Sequence, residues 1–201
     1  MREGRPMKPR SPRDAAGAEL PSEAEVERAA LAYLSRYECS EAALSRALVA
    51  WARRRAVDAE GVLAGRVAAV VASCRERRLV DDARFAEARV RALRARGSSR
   101  RAIEARLRAA GVSAELAAGA IARHATDEAA DPRRATAGAE LEAARALVRR
   151  RRLGSRRTDP AERAARRAKD LAILARAGFG LEVARAALGV DGDDPWEPDD
   201  A

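Results

Sequence analysis

The stretch from Leu79 to Ile121 divides into three short segments, each with apolar residues at helical spacing and its own boundary signals. Ser99 and Ser113 precede the second and third segments, where a hydroxyl oxygen accepts hydrogen bonds from the N–H groups of a first helical turn. Gly97 and Gly111 follow the first two segments, and glycine enters the left-handed cap conformation without steric cost. The stretch therefore predicts a unit of three capped helices.

The first helix of this unit is predicted to begin at the Asp81-Asp82 pair, because short carboxylates accept hydrogen bonds from unpaired N–H groups and suit the positive end of the helix dipole. The predicted inward residues are apolar and share one face of each helix: Phe85, Ala88, Ala92 and Leu93; Ala102, Ile103, Leu107 and Ala110; Leu116, Ala117, Ala120 and Ile121. Alanine buries little area, so each helix needs its neighbours.

The same pattern recurs on both sides of this unit. A shift of 59 positions superposes residues on the N-terminal side: Val26 on Phe85, Leu34 on Leu93, Ser40 on Ser99, Leu44 on Ile103 and Leu48 on Leu107. A shift of 67 positions does so on the C-terminal side: Leu174 on Leu107, Gly178 on Gly111, Val183 on Leu116 and Leu188 on Ile121. Such internal similarity is the signature of a repeat protein. We expect an all-α, elongated tandem array of three three-helix repeats at residues 22–79, 80–128 and 129–190.

Further start signals support the outer repeats, each a capping residue followed by an acidic residue or proline: Ser22 with Glu25, Asp131 with Pro132, and Asp159 with Pro160. The last helix of the first repeat is predicted from about Ala59 to Arg78. Tyr33, Tyr37 and Trp51 are interpreted as core residues rather than as platforms on which nucleobases stack.

The two ends of the chain lack apolar periodicity and are predicted to be disordered tails. Residues 1–21 are rich in Pro, Gly, Arg and Ser, whereas residues 191–201 hold six acidic residues and two prolines. The acidic tail has two interpretations. In the first, the tail folds back onto nearby arginines and competes with the anion that they bind. In the second, which we favour, it only solubilises the chain.

The charge balance is strongly basic, at +9, which favours attraction to a polyanion. Lysine occurs only at Lys8 and Lys169, so arginine supplies nearly all of the positive charge. A bias toward alanine and arginine also arises in a GC-rich genome, and composition alone leaves both explanations open. The hydrophobic residues make up 47% of the chain but are mostly alanine, and the aromatic ones make up 3%, which argues against one large globular core.

The residues needed for catalysis or metal binding are missing from the sequence pattern. Cys39 and Cys74 form no CxxC pair and His124 is the only histidine, which excludes the usual zinc sites and makes a disulfide framework improbable. No phosphate-binding loop precedes Lys169, and Asp81-Asp82 is better explained as a cap than as a magnesium or acid–base site. We predict a protein without catalytic activity, cofactor, metal or pocket.

The chain is predicted to be cytoplasmic and to make no membrane contact. Its uncharged run at residues 67–74 is far shorter than the ~20 residues of a membrane helix. No apolar segment follows the basic N-terminal residues, so a secretory signal is absent.

Binding is therefore the predicted role, and arginines at outward positions are its candidates, because their planar donor fork suits phosphates and carboxylates. The candidate residues for contact with a nucleic acid or an acidic protein groove are Arg84, Arg91, Arg94, Arg100, Arg101, Arg108, Arg149, Arg150, Arg151, Arg152, Arg156 and Arg157. Interleaved acids such as Glu87 and Glu104 leave open a plain solvated face. Base-specific recognition is not predicted, since no recognition helix carries Asn or Gln.

The central stretch resembles the middle repeat of the RecX family of bacterial recombinase regulators. That repeat has a Leu-x-Asp-Asp-x-x-Phe-Ala opening, an arginine-rich Gly-x-Ser linker and an Ile-x-x-x-Leu-x-x-x-Gly-Val segment. The match is carried by Leu79, Asp81, Asp82, Phe85, Ala86, Gly97, Ser99, Ile103, Leu107, Gly111 and Val112. The likeness covers roughly residues 24–190, and residues 29–48 are similar to the opening repeat of the family. The turn after Trp51 and the acidic tail depart from it.

The resemblance implies a monomeric, non-catalytic protein that lies in the groove of the RecA–single-stranded DNA filament. There it would inhibit RecA's ATPase and strand exchange and limit filament growth, a role in DNA repair, homologous recombination and the SOS response. The alternative is a free-standing basic helical DNA-binding protein of an architectural or transcriptional kind.

Overall fold

The computed structural model describes residues 19–55, 61–126 and 132–189, and its regular elements within these ranges are all helical. The helices are α1 (Glu23–Leu34), α2 (Glu41–Arg53), α3 (Val62–Glu76), α4 (Asp82–Ala95), α5 (Arg100–Ala110), α6 (Ala114–Thr126), α7 (Pro132–Arg151), α8 (Pro160–Arg176) and α9 (Leu181–Leu188), with a 3-10 turn at Gly154–Arg156. The prediction of an all-α chain is confirmed. Residues 1–18 of the predicted N-terminal tail, the Asp131 cap and the acidic tail at 191–201 lie outside the described residues.

Contacts within the chain separate two compact units, Met1–Asp82 and Ala83–Ala201. The first unit has one hydrophobic cluster, formed by α1, α2 and α3. The second unit has two clusters, one on α4, α5 and α6 and one on α7, α8 and α9. The helices thus fall into groups of three around small cores, as a chain of helical repeats requires. The repeat boundaries at 22–79, 80–128 and 129–190 stay a prediction.

The first two helices of the first unit, α1 and α2, begin at capping serines. Ser22 and Glu25 form a reciprocal capping box at α1, and the Ser40 hydroxyl accepts a hydrogen bond from the Ala43 N–H at α2. The third helix, α3, follows Gly61, whose φ is 71°, so it is shorter than the predicted span from Ala59 to Arg78. Local capping chemistry therefore explains the helix boundaries better than hydrophobic periodicity alone.

Asp82 has a different partner from the one predicted for it. Its Oδ1 accepts a hydrogen bond from the Glu41 backbone N–H at 2.8 Å, so this carboxylate caps α2 across the first unit. The helix α4 nevertheless begins at Asp82, where a negative charge suits the helix dipole. The predicted cap therefore has a partner 41 positions away in the sequence, within the first unit.

The three aromatic residues of the first unit do not share one environment. Tyr33 and Trp51 are half-buried and pack against the hydrophobic cluster, as predicted. Tyr37 is 56% exposed, so its assignment to the core is wrong. It lies just beyond the end of α1, where its ring contacts Tyr33 at 5.0 Å between centroids instead of entering the core.

The inward face of α4 is shifted from the predicted one. Ala86, Val90 and Leu93 are buried, whereas Ala92 is exposed and Phe85 and Ala88 are only half-buried. The buried residues follow an i, i+4, i+7 stripe, whereas most of the predicted residues lie on the neighbouring stripe. The two stripes are hard to distinguish because both contain alanine. The predicted faces of α5 and α6 are confirmed, since their central leucine, isoleucine and alanine residues are buried or half-buried.

The last three helices match the superposition predicted from the sequence. Gly111 and Gly178 both have a φ of 90°, and Leu107 and Leu174 are both fully buried. Asp159 caps α8 by accepting a hydrogen bond from the Ala161 N–H at 2.9 Å. The third group of helices is therefore built with the same turn and the same core position as the second.

The turn at Gly97 brings α7 against the end of α4. A Cβ added to Gly97 would lie 2.6 Å from the Leu147 nitrogen and 2.7 Å from the Ala143 carbonyl oxygen. The glycine has a φ of 72°. It therefore serves both as a left-handed cap and as the point where two backbones meet.

Candidate nucleic-acid interface

The predicted arginines of α4 and α5 are mostly on the surface of the second unit. Arg84 and Arg91 on α4, and Arg100, Arg101 and Arg108 on α5, are exposed. The Arg100 Nε donates to Glu104 Oε1 at 2.7 Å, an i, i+4 pair on the solvent side. Such an exposed pair contributes little to stability and can be exchanged for an external anion.

Arg94 is the exception, and its prediction as a surface contact is wrong. The residue is 7% exposed, and its Nη1 donates to Glu140 Oε2 at 2.6 Å. Glu140 stands on α7 and also accepts the Arg100 backbone N–H, with both oxygens at 3.1 Å. Arg94 therefore has a structural role in joining α4, α5 and α7, and no external anion reaches it.

Arg157 is likewise a structural residue more than a surface one. Its Nη2 donates to Oδ1 of Asp170 at 2.9 Å, and Asp170 is 1% exposed. The hydrogen bond to Asp170 raises the pKa of the Arg157 guanidinium, although burial opposes the shift. Asp170 also accepts the Gly154 N–H at 2.8 Å. The ion pair therefore holds the 3-10 turn against α8, and the contact of Arg157 with an external anion stays a prediction.

The remaining arginines of the predicted run lie at and beyond the end of α7. Arg149, Arg150 and Arg151 occupy its last turn, and Arg152 follows with a φ of 54°. All four are exposed, as is Arg156 in the 3-10 turn. Cations at a helix C-terminus are favoured by the helix dipole, so this run also stabilises α7.

Among the described residues of the second unit, arginines line three surface grooves. One of about 340 Å³ contains Arg163 and Arg167 together with Asp170, and one of about 690 Å³ contains Arg100 and Arg101 together with Glu104 and Glu140. The third, of about 570 Å³, contains Arg106, Arg150, Arg151 and Arg176. All three are open grooves on the surface, and they lie where the helix ends of alanine-rich bundles leave space between them.

Sequence reasoning missed Arg106 and Arg176. Both are exposed residues of amphipathic helices, and nothing in their spacing distinguishes them from other arginines. They approach the run at the end of α7 only because the turn at Gly97 meets α7 and the Ser99 hydroxyl at the start of α5 donates to Ala177 at the end of α8. The sequence feature that comes nearest to predicting their position is the superposition of Gly178 on Gly111. It indicates that α8 and α5 end in the same kind of glycine turn.

Metal-binding groups are not assembled in the part of the chain that the structure describes. No cluster of three or more His, Cys, Asp or Glu residues there has the arrangement of a metal site. Cys39 and Cys74 are buried free thiols, and burial raises the pKa of both, so neither is an activated nucleophile.

The described helices also include none that is long and apolar enough to cross a membrane.

Comparison with known proteins assigns the chain to a family. Residues 81–121 match the model of the second three-helix domain of RecX. The regulatory protein RecX of Myxococcus xanthus (strain DK1622) is 38% identical over 169 residues, which cover 81% of this chain and 83% of that protein.

A solved structure supports the fold. The crystal structure of a regulatory protein RecX matches with a TM-score of 0.56 and 20% identity, over 84% of this chain and 74% of that one. At this identity the match concerns the arrangement of helices alone. Taken with the sequence relationship to the Myxococcus protein, these observations show that the chain belongs to the RecX family of regulatory proteins and is a regulator rather than an enzyme.

Proposed function

We propose that this protein regulates the RecA recombinase by binding the filament that RecA forms on single-stranded DNA. Bound in the groove of that filament, it restrains ATP hydrolysis, strand exchange and filament growth. The support is twofold: the chain belongs to a family of regulators, and the resemblance of its central stretch to that family implies RecA as the partner. The proposal includes a cytoplasmic monomer built of repeats 22–79, 80–128 and 129–190.

The observation that carries the proposal is the exposed cationic surface of the second unit. Ten of the twelve arginines predicted from the sequence are exposed: Arg84, Arg91, Arg100, Arg101, Arg108, Arg149, Arg150, Arg151, Arg152 and Arg156. A surface of this charge attracts a partner that contains both an acidic protein face and a phosphate backbone. The sequence contains no Asn or Gln, the side chains that read adenine, which suits a filament whose DNA varies in sequence.

The test is RecA's ATP turnover on single-stranded DNA, measured as the protein is added. We expect turnover to fall at amounts well below one molecule per RecA monomer, because one regulator that limits filament growth affects many RecA subunits. Unchanged turnover at equimolar protein would refute the proposal.

The basic surface also suits a free-standing DNA-binding protein, which is the second candidate. Such a protein binds duplex or single-stranded DNA without RecA, and its affinity falls steeply with salt. Binding of duplex DNA at moderate salt, combined with no effect on RecA turnover, identifies this second function.

A further inference from the structure

The groove of about 570 Å³ has walls from four parts of the second unit. The turn at Gly97 and Ser98 forms one end, and α5 contributes Arg106. The last turn of α7 contributes Arg150 and Arg151, and the end of α8 contributes Arg176 in the same groove. Its size lies within the range of sites that hold small ligands or single nucleotides.

The charge of this groove sets it apart from the other two. Arg106, Arg150, Arg151 and Arg176 line it, and its lining includes no carboxylate among the described residues. The other two grooves each pair their arginines with acidic residues. Four like charges in one concave space repel one another, and a bound anion removes that repulsion.

Two of these guanidinium groups are held in place by neutral acceptors. Arg106 Nη1 donates to the Ser98 hydroxyl at 2.9 Å, and Arg176 Nε donates to the Ala172 carbonyl at 3.1 Å. A guanidinium has five N–H donors, so each keeps donors for a ligand. These contacts orient the side chains without neutralising them, which is the arrangement expected of a preformed anion site.

Two backbone N–H groups near the groove already have acceptors within the protein. The Arg100 N–H donates to Glu140, and the Ala102 N–H donates to the Ser99 hydroxyl at 3.2 Å. Two N–H groups in the first turn of α5 are thus already occupied, so the arginine side chains are the donors available to the anion. Leu147 and Ile173 supply an apolar lining against which a sugar or base packs without being read.

We propose that this groove binds phosphates of a single-stranded DNA backbone, and that Arg106 and Arg176 act there together with Arg150 and Arg151. A concave groove of this size accommodates phosphates of a single strand. It has no strand edge to pair with an extended acidic peptide, which is a common way for a peptide to bind. The inference rests on the proposed function, since it names the part of the filament that this site contacts.

The experiment measures binding of the full chain to a fluorescent oligothymidylate by anisotropy over a range of salt concentrations, without RecA. Arg106→Gln and Arg176→Gln each remove one groove cation, and both residues are exposed, so the fold should tolerate them. The matched control is Arg89→Gln, which removes an exposed arginine of the same unit that lies outside the groove.

Each groove variant should bind about tenfold more weakly at low salt, which is the effect expected when one charge-assisted hydrogen bond is removed. The slope of log K against log salt should become shallower by about 0.7 for each phosphate of the single strand that the variant no longer neutralises. Arg106→Lys should keep the slope and regain part of the affinity, because lysine keeps the charge but does not have the planar donor fork. Arg89→Gln should match the wild type.

Equal decreases in the affinity of Arg89→Gln and of the groove variants would overturn the proposal, since diffuse charge would then explain binding. Unchanged DNA binding together with weaker binding to DNA-free RecA would also overturn it and make the groove a protein-docking surface. If the wild type leaves RecA turnover unchanged but the groove variants bind DNA more weakly as expected, the proposed function fails and the groove inference stands.

Discussion

Arg94 and Glu140 form a buried ion pair, with 2.6 Å between Nη1 and Oε2, that joins α4 to α7 across 46 residues of sequence. The Arg94 side chain is 6% exposed and that of Glu140 16%. Glu140 additionally caps α5 through the Arg100 N–H. One carboxylate therefore links three helices of the second unit.

Replacing Glu140 by alanine should destabilise the protein by about 3–5 kcal/mol, because Arg94 would be left as an uncompensated buried charge. Urea unfolding followed by far-UV circular dichroism measures the change. Glu142→Ala is the control: Glu142 pairs with Arg145 on the same helix, and both are exposed. Its cost should be no more than about 0.5 kcal/mol. Similar costs in the two variants would mean that the buried pair has no special role.

Gly97→Ala should destabilise the protein by about 2–5 kcal/mol. The change places a Cβ at a positive φ and within 2.6 Å of the Leu147 nitrogen, so both backbone strain and overpacking contribute. Thermal unfolding monitors the effect. Gly65→Ala is the matched substitution, since nothing lies within 4 Å of a Cβ there and Gly65 is inside α3. It should stabilise by about 0.5–1 kcal/mol. A neutral Gly97→Ala would contradict the close approach of α7.

Ser99→Ala should cost about 2 kcal/mol. The Ser99 hydroxyl accepts the Ala102 N–H and donates to the Ala177 carbonyl at 2.6 Å, so its removal eliminates a helix cap and a hydrogen bond to the end of α8. Ser113→Ala removes only a cap on α6 and should cost about 1 kcal/mol. Denaturant titration distinguishes the two. Equal costs would show that the hydrogen bond to Ala177 contributes nothing.

Cys39 and Cys74 should resist labelling by a thiol reagent in the folded protein. Burial raises the pKa of both thiols above the ordinary value of 9.0, so the reactive thiolate is suppressed. As the pH rises, the thiols of the unfolded chain lose their protons before those of the folded chain. The contribution of these two thiols to the free energy of unfolding is therefore fully present below pH 9.0 and is lost as the pH rises above it. Labelling rates compared with unfolding rates check this, and labelling much faster than unfolding would contradict it.

Replacing Arg149, Arg150, Arg151 and Arg152 together with serine should weaken attachment to DNA and to the RecA filament. These residues are exposed, so the helical circular dichroism should persist, with a small decrease because the α7 dipole is no longer compensated. Co-sedimentation with filaments measures attachment. Undiminished attachment would show that the run is only a solvated face.

Much of the fold follows from local residue patterns. Ser22, Ser40, Ser99 and Ser113 each act as a helix cap through a hydrogen bond that spans three residues, and Gly111 ends α5 at a positive φ. These interactions depend on near neighbours, so spacing alone predicts them. The inward stripe of α4 was predicted only in part, since Leu93 is buried but Ala92 is exposed. The reason is that alanine on adjacent faces gives little hydrophobic contrast.

The sequence by itself determined the helical class, the capping residues and the repeated core positions, since each is encoded within a few residues. Only the tertiary structure decided the environment of each arginine. Arg94 and Arg91 stand on one helix with the same local pattern, yet one is buried against Glu140 and the other is exposed. Arg106 and Arg176 line one groove although they are far apart in the sequence. The physical reason is that a side chain's charge partners come from whichever helices pack beside it, and packing joins residues distant in the chain.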